Sequence, residues 1–135
     1  MTNVVWAFAS IGFVHTVLFK KIGDETASRD NLHEFKPQYL ANTVWAFATI
    51  GFDYPMLFQK IGDETASRDN LQQFIPQQLS NVVWAYATSC DKHPELFKKI
   101  GDEIASRDNL QKFNSQDFSN LVWAFATSCD KHSMI

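Results

Sequence analysis

Two tetrapeptides carry the side chains most suited to chemistry: Cys90-Asp91-Lys92-His93 and Cys129-Asp130-Lys131-His132. Cys-x-x-His is half of a zinc site. A cysteine beside a histidine is also the pairing of a nucleophile with its base. The rest of the sequence argues against both. Gly12 with His15, and Gly51 with Tyr54, stand at the corresponding places earlier in the chain. The cysteines thus replace glycines of the kind that end helices, and read as loop residues. Asp102 and Glu103 are adjacent, so on a helix they point in different directions and make a poor catalytic pair. The sequence has no glycine-rich loop of the phosphate-cradling kind. The expectation is a protein that is not an enzyme, with no catalytic residue, metal site, cofactor or small-molecule substrate.

A second pattern is uncharged. Asn3, Asn42, Asn81 and Asn120 each open the pentapeptide N-x-V-W-A. The tryptophans fall at 6, 45, 84 and 123, a spacing of 39 every time. A fixed period of this length marks stacked structural units. The units run over residues 3–41, 42–80 and 81–119, followed by a partial unit over 120–135. They predict one array over 1–135, an all-α, right-handed α-solenoid of tandem helix pairs with about seven helices, the first one short. Both ends cut a unit and no polar capping unit is visible, so the array is expected to belong to a longer protein.

Each unit must supply two helices to place that Asn and Trp. Helix A reads "PQQLSNVVWAYATSC" in its third copy. Pro37 and Pro76 suit a first helical turn, where a missing N–H costs nothing; Ser115 in the fourth copy is a weaker start. Gly12 and Gly51 mark helix ends, and Cys90 and Cys129 in their place predict a different termination. Helix B reads "HPELFKKIGDEIASRDN", with Asp91 or His93 as its cap and Pro94 in its first turn. Leu96, Phe97, Ile100 and Ile104 form its apolar stripe. Gly23, Gly62 and Gly101 lie inside B helices, each costing about 1 kcal/mol against alanine. Their recurrence predicts a close approach by a neighbour. Leu110 and Phe113 anchor the connection to the next helix A.

On a helical wheel of the second helix A, Leu40, Val44 and Phe47 form a core stripe ending at Gly51. Opposite lie Gln38, Asn42, Ala46 and Thr49, with Trp45 on the flank. The matching sets are Gln77, Asn81, Ala85 and Thr88, then Gln116, Asn120, Ala124 and Thr127. Asp117 is the one charge in any helix A. Helix B instead carries Lys98, Lys99, Asp102, Glu103 and Arg107, a solvated outer face with Glu103–Arg107 pairing. Neutral amides at regular spacing suit base edges, which display donors and acceptors, and helical repeats taking one base each are a known solution for single-stranded RNA. In the competing reading Asn cross-links neighbouring units and Trp fills the space between them. Identical residues cannot tell one base from another, so selectivity must rest on positions that vary: Tyr39/Gln78/Asp117, Ala41/Ser80/Ser119 and Thr43/Val82/Leu121. The first trio lies nearest the polar face and supplies the candidate discriminating contacts.

Bulk composition fits this picture. With 135 residues, 45% of them hydrophobic and 14% aromatic, the chain can build a real core. Its net charge of −3 argues against indiscriminate binding to phosphate backbones. Two cysteines imply no disulfide framework. The apolar start "MTNVVWAFASIGFVHTVLF" recurs inside the chain, so it reads as a repeat and not as a signal peptide or membrane span.

The stretch "PQQLSNVVWAYAT", followed by a Pro-started helix containing Leu-Phe, resembles the octotricopeptide repeat. That family has a comparable L-A-N-x-x-W-A-x-A core in its first helix, and close relatives occur in proteins with a RAP domain. The resemblance covers the whole chain. It implies an α-solenoid that binds organellar RNA sequence-specifically and governs transcript stability, processing or translation in plastids or mitochondria. The chain departs from the pattern in its strict 39-residue uniformity and carries no RAP domain. Such uniformity implies a monotonous RNA target or a young expansion. The alternative partner is a peptide or protein domain in the same groove.

Overall fold

The computed structural model describes Ala7 and residues 15–127. Within them the chain is all helical: α1 (Thr16–Ser28), α2 (Pro37–Ile50), α3 (Pro55–Ser67), α4 (Pro76–Ser89), α5 (Pro94–Ser106) and α6 (Ser115–Ala126). The first of the expected helices A lies almost wholly outside the described residues. The helices A (α2, α4, α6) pack one along the next. The helices B (α1, α3, α5) form a second layer in the same way. No helix among the described residues is long and apolar enough to cross a membrane.

Local chemistry explains the boundaries. Proline occupies the first turn of α2, α3, α4 and α5. Helix α6 lacks it but is not weakly started. Asn114 Oδ1 accepts from the Asp117 amide at 2.8 Å, and Asp117 Oδ2 accepts from the Asn114 amide at 3.0 Å, a reciprocal capping box. At the other end, Gly51 (φ 73°) and Cys90 (φ 61°) are both left-handed. Phe52 N donates to Phe47 O at 2.9 Å, and Asp91 N donates to Tyr86 O at 3.1 Å. The different ending expected at Cys90 is therefore corrected: α4 stops as α2 does, although a side chain in this region costs about 1–2 kcal/mol. Against the expectation that the two cysteines imply no disulfide framework, Cys90 is disulfide-bonded; Cys129 lies outside the described residues. His93, not Asp91, caps α5, its Nδ1 accepting from Leu96 N at 3.2 Å.

The expected stripe of Leu40, Val44 and Phe47 is fully buried. Helices A also pack on the preceding helix B. The Phe58 and Tyr86 rings lie 5.0 Å apart, and Tyr86 donates its hydroxyl to Phe58 O at 2.6 Å. Burial pushes the Tyr86 phenol well above its ordinary pKa, with the charges of Asp91 and Asp63 adding to the effect. At α6 the pattern opens. Val83 is fully buried, but its counterpart Val122 is 70% exposed, because among the described residues no helix packs beyond α6.

Of the helix-B glycines, Gly23 and Gly62 accommodate a close approach by a ring, whereas a Cβ on Gly101 would meet Phe125 only at an ordinary 3.4 Å. A Cβ on Gly23 would stand 2.8 Å from Tyr54 Cε2, and one on Gly62 would stand 2.9 Å from His93 Nε2. The capping residues of α3 and α5 thus lie against the glycine of the helix B before each. The reading of all helix-B charges as a solvated face needs correction as well. Lys98–Asp102 is such a pair, exposed at 2.7 Å. Arg68 and Arg107 are not. Arg68 Nε pairs with buried Glu64 at 2.8 Å, while Nη2 donates to Leu32 O at 3.3 Å and Phe35 O at 2.7 Å. Thirty-nine residues on, Arg107 pairs with Glu103 at 3.0 Å and donates to Leu71 O at 3.3 Å and Phe74 O at 2.9 Å. Each arginine reaches back to hold the loop of the unit before it.

Candidate ligand-binding face of the helices A

Gln38, Asn42, Trp45 and Thr49 stand at i, i+4, i+7 and i+11, one narrow stripe of α2. Gln38 and Thr49 are exposed, and Asn42 and Trp45 are half-buried. Gln77, Asn81, Trp84 and Thr88 repeat these exposures on α4. On α6, Gln116 and Trp123 are exposed and Asn120 is half-buried; Thr127 follows the helix as its cap, half-buried. The stripes recur along the layer because α2, α4 and α6 pack successively.

Two wheel expectations change. Ala46, Ala85 and Ala124, placed with the polar set, are buried to within 1%. Tryptophan takes its place in the stripe: Trp45, Trp84 and Trp123 carry the i+7 position, which their treatment as flanking residues had missed. The i, i+4, i+7, i+11 spacing was the available signal.

The structure does not bring Tyr39, Gln78 and Asp117 onto this face. Tyr39 is half-buried, its hydroxyl hydrogen-bonded to Thr26 and its ring edge-on to Phe35 at 4.5 Å. Gln78 Oε1 accepts from Ile75 N at 3.0 Å and so caps its own helix. Asp117 is 5% exposed and, besides its capping role, accepts from Ser80 Oγ at 3.2 Å. All three serve the connection entering helix A or the contact between neighbouring helices A. The other variable positions are also largely removed: Ala41, Ser80, Thr43, Val82 and Leu121 are buried, while Ser119 is exposed.

The stripe's own groups are only partly committed. Thr49 Oγ1 donates to Trp45 O at 2.7 Å, and Thr127 Oγ1 to Trp123 O at 2.5 Å. Gln116 Nε2 donates to Asn120 Oδ1 at 3.0 Å. That bond leaves the Asn120 amino group and the Gln116 carbonyl directed to other partners. Helices α2 and α4 contain no charged residue, and the one in α6 is the buried Asp117. The described helices A therefore carry no exposed charge, unlike the helices B.

The Cys-x-x-His segment has a structural account. His93 is 5% exposed; with Nδ1 accepting from Leu96 N, its Nε2 donates to Asp63 Oδ1 at 2.8 Å. Both ring nitrogens are thereby used, and Cys90 is disulfide-bonded. A cleft of about 240 Å³ beside them is lined by these two residues with Lys92, Phe97 and Thr127 among others. Among the described residues no group of three or more His, Cys, Asp or Glu side chains is placed to hold a metal ion. Comparison with protein-family models, curated proteins and solved structures finds no match.

Proposed function

We propose that the chain is a stretch of right-handed α-solenoid with a 39-residue repeat, and that it binds single-stranded RNA along the exposed stripe of its helices A. The observation that supports this reading is the stripe itself. Glutamine, asparagine, tryptophan and threonine recur at the same four positions of three successive units, on a layer without exposed charge. Amides supply paired donors and acceptors for base edges. Half-exposed indoles supply the flat faces on which unpaired bases stack. The resemblance to octotricopeptide repeats points the same way. With it comes a role in the stability, processing or translation of plastid or mitochondrial transcripts, without catalysis.

The test is selection of bound RNA from a random pool by the wild-type chain and by an Asn42/Asn81/Asn120→Ala triple variant. Enrichment by the wild type, lost in a variant of unchanged stability, is the expected result. No enrichment by the wild type removes the RNA reading. Equal enrichment by both removes this face as the site.

The same neutrality favours a second reading, a scaffold for an extended peptide. Stripe amides satisfy main-chain N–H and C=O groups as readily as base edges, and no stripe residue is a cation to meet a phosphate. Failure of the RNA selection, with retention of a peptide-library ligand that the triple variant loses, would establish it.

A further inference from the structure

We infer, resting on the RNA reading above, that the ligand of this face is a homopolymeric tract, one in which every unit receives the same base. The variable residues beside the stripe, Tyr39, Gln78 and Asp117, are spent inside the protein on Thr26, on the Ile75 amide, and on Asn114 and Ser80. What remains on the stripe is identical in each unit: Gln38/Gln77/Gln116, Asn42/Asn81/Asn120, Trp45/Trp84/Trp123 and Thr49/Thr88/Thr127. A row whose rungs are chemically identical gains most from a ligand that offers each rung the same group. A mixed sequence would suit some rungs and leave others with mismatched amides, and a polar group denied its partner costs more than an ordinary bond contributes.

The groups on each rung are suited to bases rather than to the backbone. The stripe has no cation to contact phosphates. Stacking on an indole is sequence-tolerant. In α6 the Gln116–Asn120 bond leaves one amide donor and one amide acceptor of the pair for a ligand. Identical rungs cannot make one unit read a different base from the next, but the same indole and amides can select the same base at every rung, by its edge while holding it by its face. The selectivity expected of the family becomes here a preference for one repeated base.

The experiment is a fluorescence-anisotropy titration of the chain with 12-nucleotide RNAs: oligo(A), oligo(U), oligo(C) and two mixed sequences of balanced composition. One homopolymer is expected to bind at least tenfold more tightly than either mixed sequence. A second arm replaces the middle four bases of that homopolymer. The wild type is expected to lose affinity severalfold, and Asn81→Ala to lose much less on the same replacement. Equal binding of mixed sequences and the best homopolymer, or tighter binding of a mixed one, overturns the inference and leaves the RNA reading standing. Absence of binding to every oligonucleotide overturns both.

Discussion

Two sets of side chains recur every 39 residues, and the structure uses them in opposite ways. On the helices B, Arg68 and Arg107 are surrounded by acceptors of their own chain: a carboxylate on one side and two backbone carbonyls of the preceding loop on the other. On the helices A, the Gln–Asn–Trp stripe stays at the surface, and among the described residues the amides of α6 bond each other. Repetition alone does not separate the two, because stacking like units demands identical joints as much as a polymeric ligand demands identical rungs. Internal satisfaction of the polar groups does. Where every donor has an acceptor inside the fold, the residue belongs to the joint.

That contrast is exposed to measurement, most strongly on the B side. Arg68→Ala should lower the free energy of unfolding by about 3 kcal/mol in urea titrations, since it leaves buried Glu64 without its cation and two carbonyls without a donor. Gly62→Ala should cost about 2 kcal/mol, because its methyl group meets the His93 ring. A change in the other direction is expected at Thr43, whose hydroxyl is fully buried without a hydrogen-bond partner. Thr43→Val should raise stability by about 1 kcal/mol; the next unit already has Val82 there. Asn42→Ala should stay within about 0.5 kcal/mol of the wild type. A loss as large as that of Arg68→Ala would make Asn42 a joint residue and erase the contrast.

The smallest effect is a matter of pH. The hydrogen bond to the Asp24 carboxylate, with burial second, pushes the Tyr54 phenol up to about 12. A raised folded pKa means that the protonated form is the one the fold favours. The associated stability is fully present below the unfolded value near 10 and is lost as pH rises from there through about 12. Tyr54→Phe should therefore show a shallower fall in stability over that window. Part of the fall should persist, because buried Tyr86 is shifted in the same direction.

Much of the fold was legible because periodicity reports burial directly. Leu40, Val44 and Phe47 fell on the inner side of the wheel and are fully buried, and Pro37 and Pro76 marked helix starts that the structure contains. Gly23 and Gly62 announced a close approach, but the approaching group is an aromatic or imidazole ring 31 residues away, which no local pattern reveals. Charge misled in the same manner. Arg107 looked like an exposed partner of Glu103, and only the loop of the preceding unit shows that its guanidinium has a second occupation. At the candidate face, a wheel with one side inward put Ala46 outward, whereas the structure buries it completely. Tyr39, Gln78 and Asp117 vary between units, and the structure gives each a different internal partner: Thr26, the Ile75 amide, and Ser80 with Asn114, pairings that a wheel of one helix does not show.

The arginine bridges carry a consequence for how the chain folds. They join residues 33 to 36 positions apart, and the Tyr86–Phe58 bond spans 28. Each such closure has about the same loop entropy, which grows only slowly with length. Folding by addition of each helix pair to its predecessor would meet the same closure barrier at every step. The sequence distance to be searched would then be set by the unit and not by the number of units, so lengthening such an array need not slow its folding as a growing contact order would.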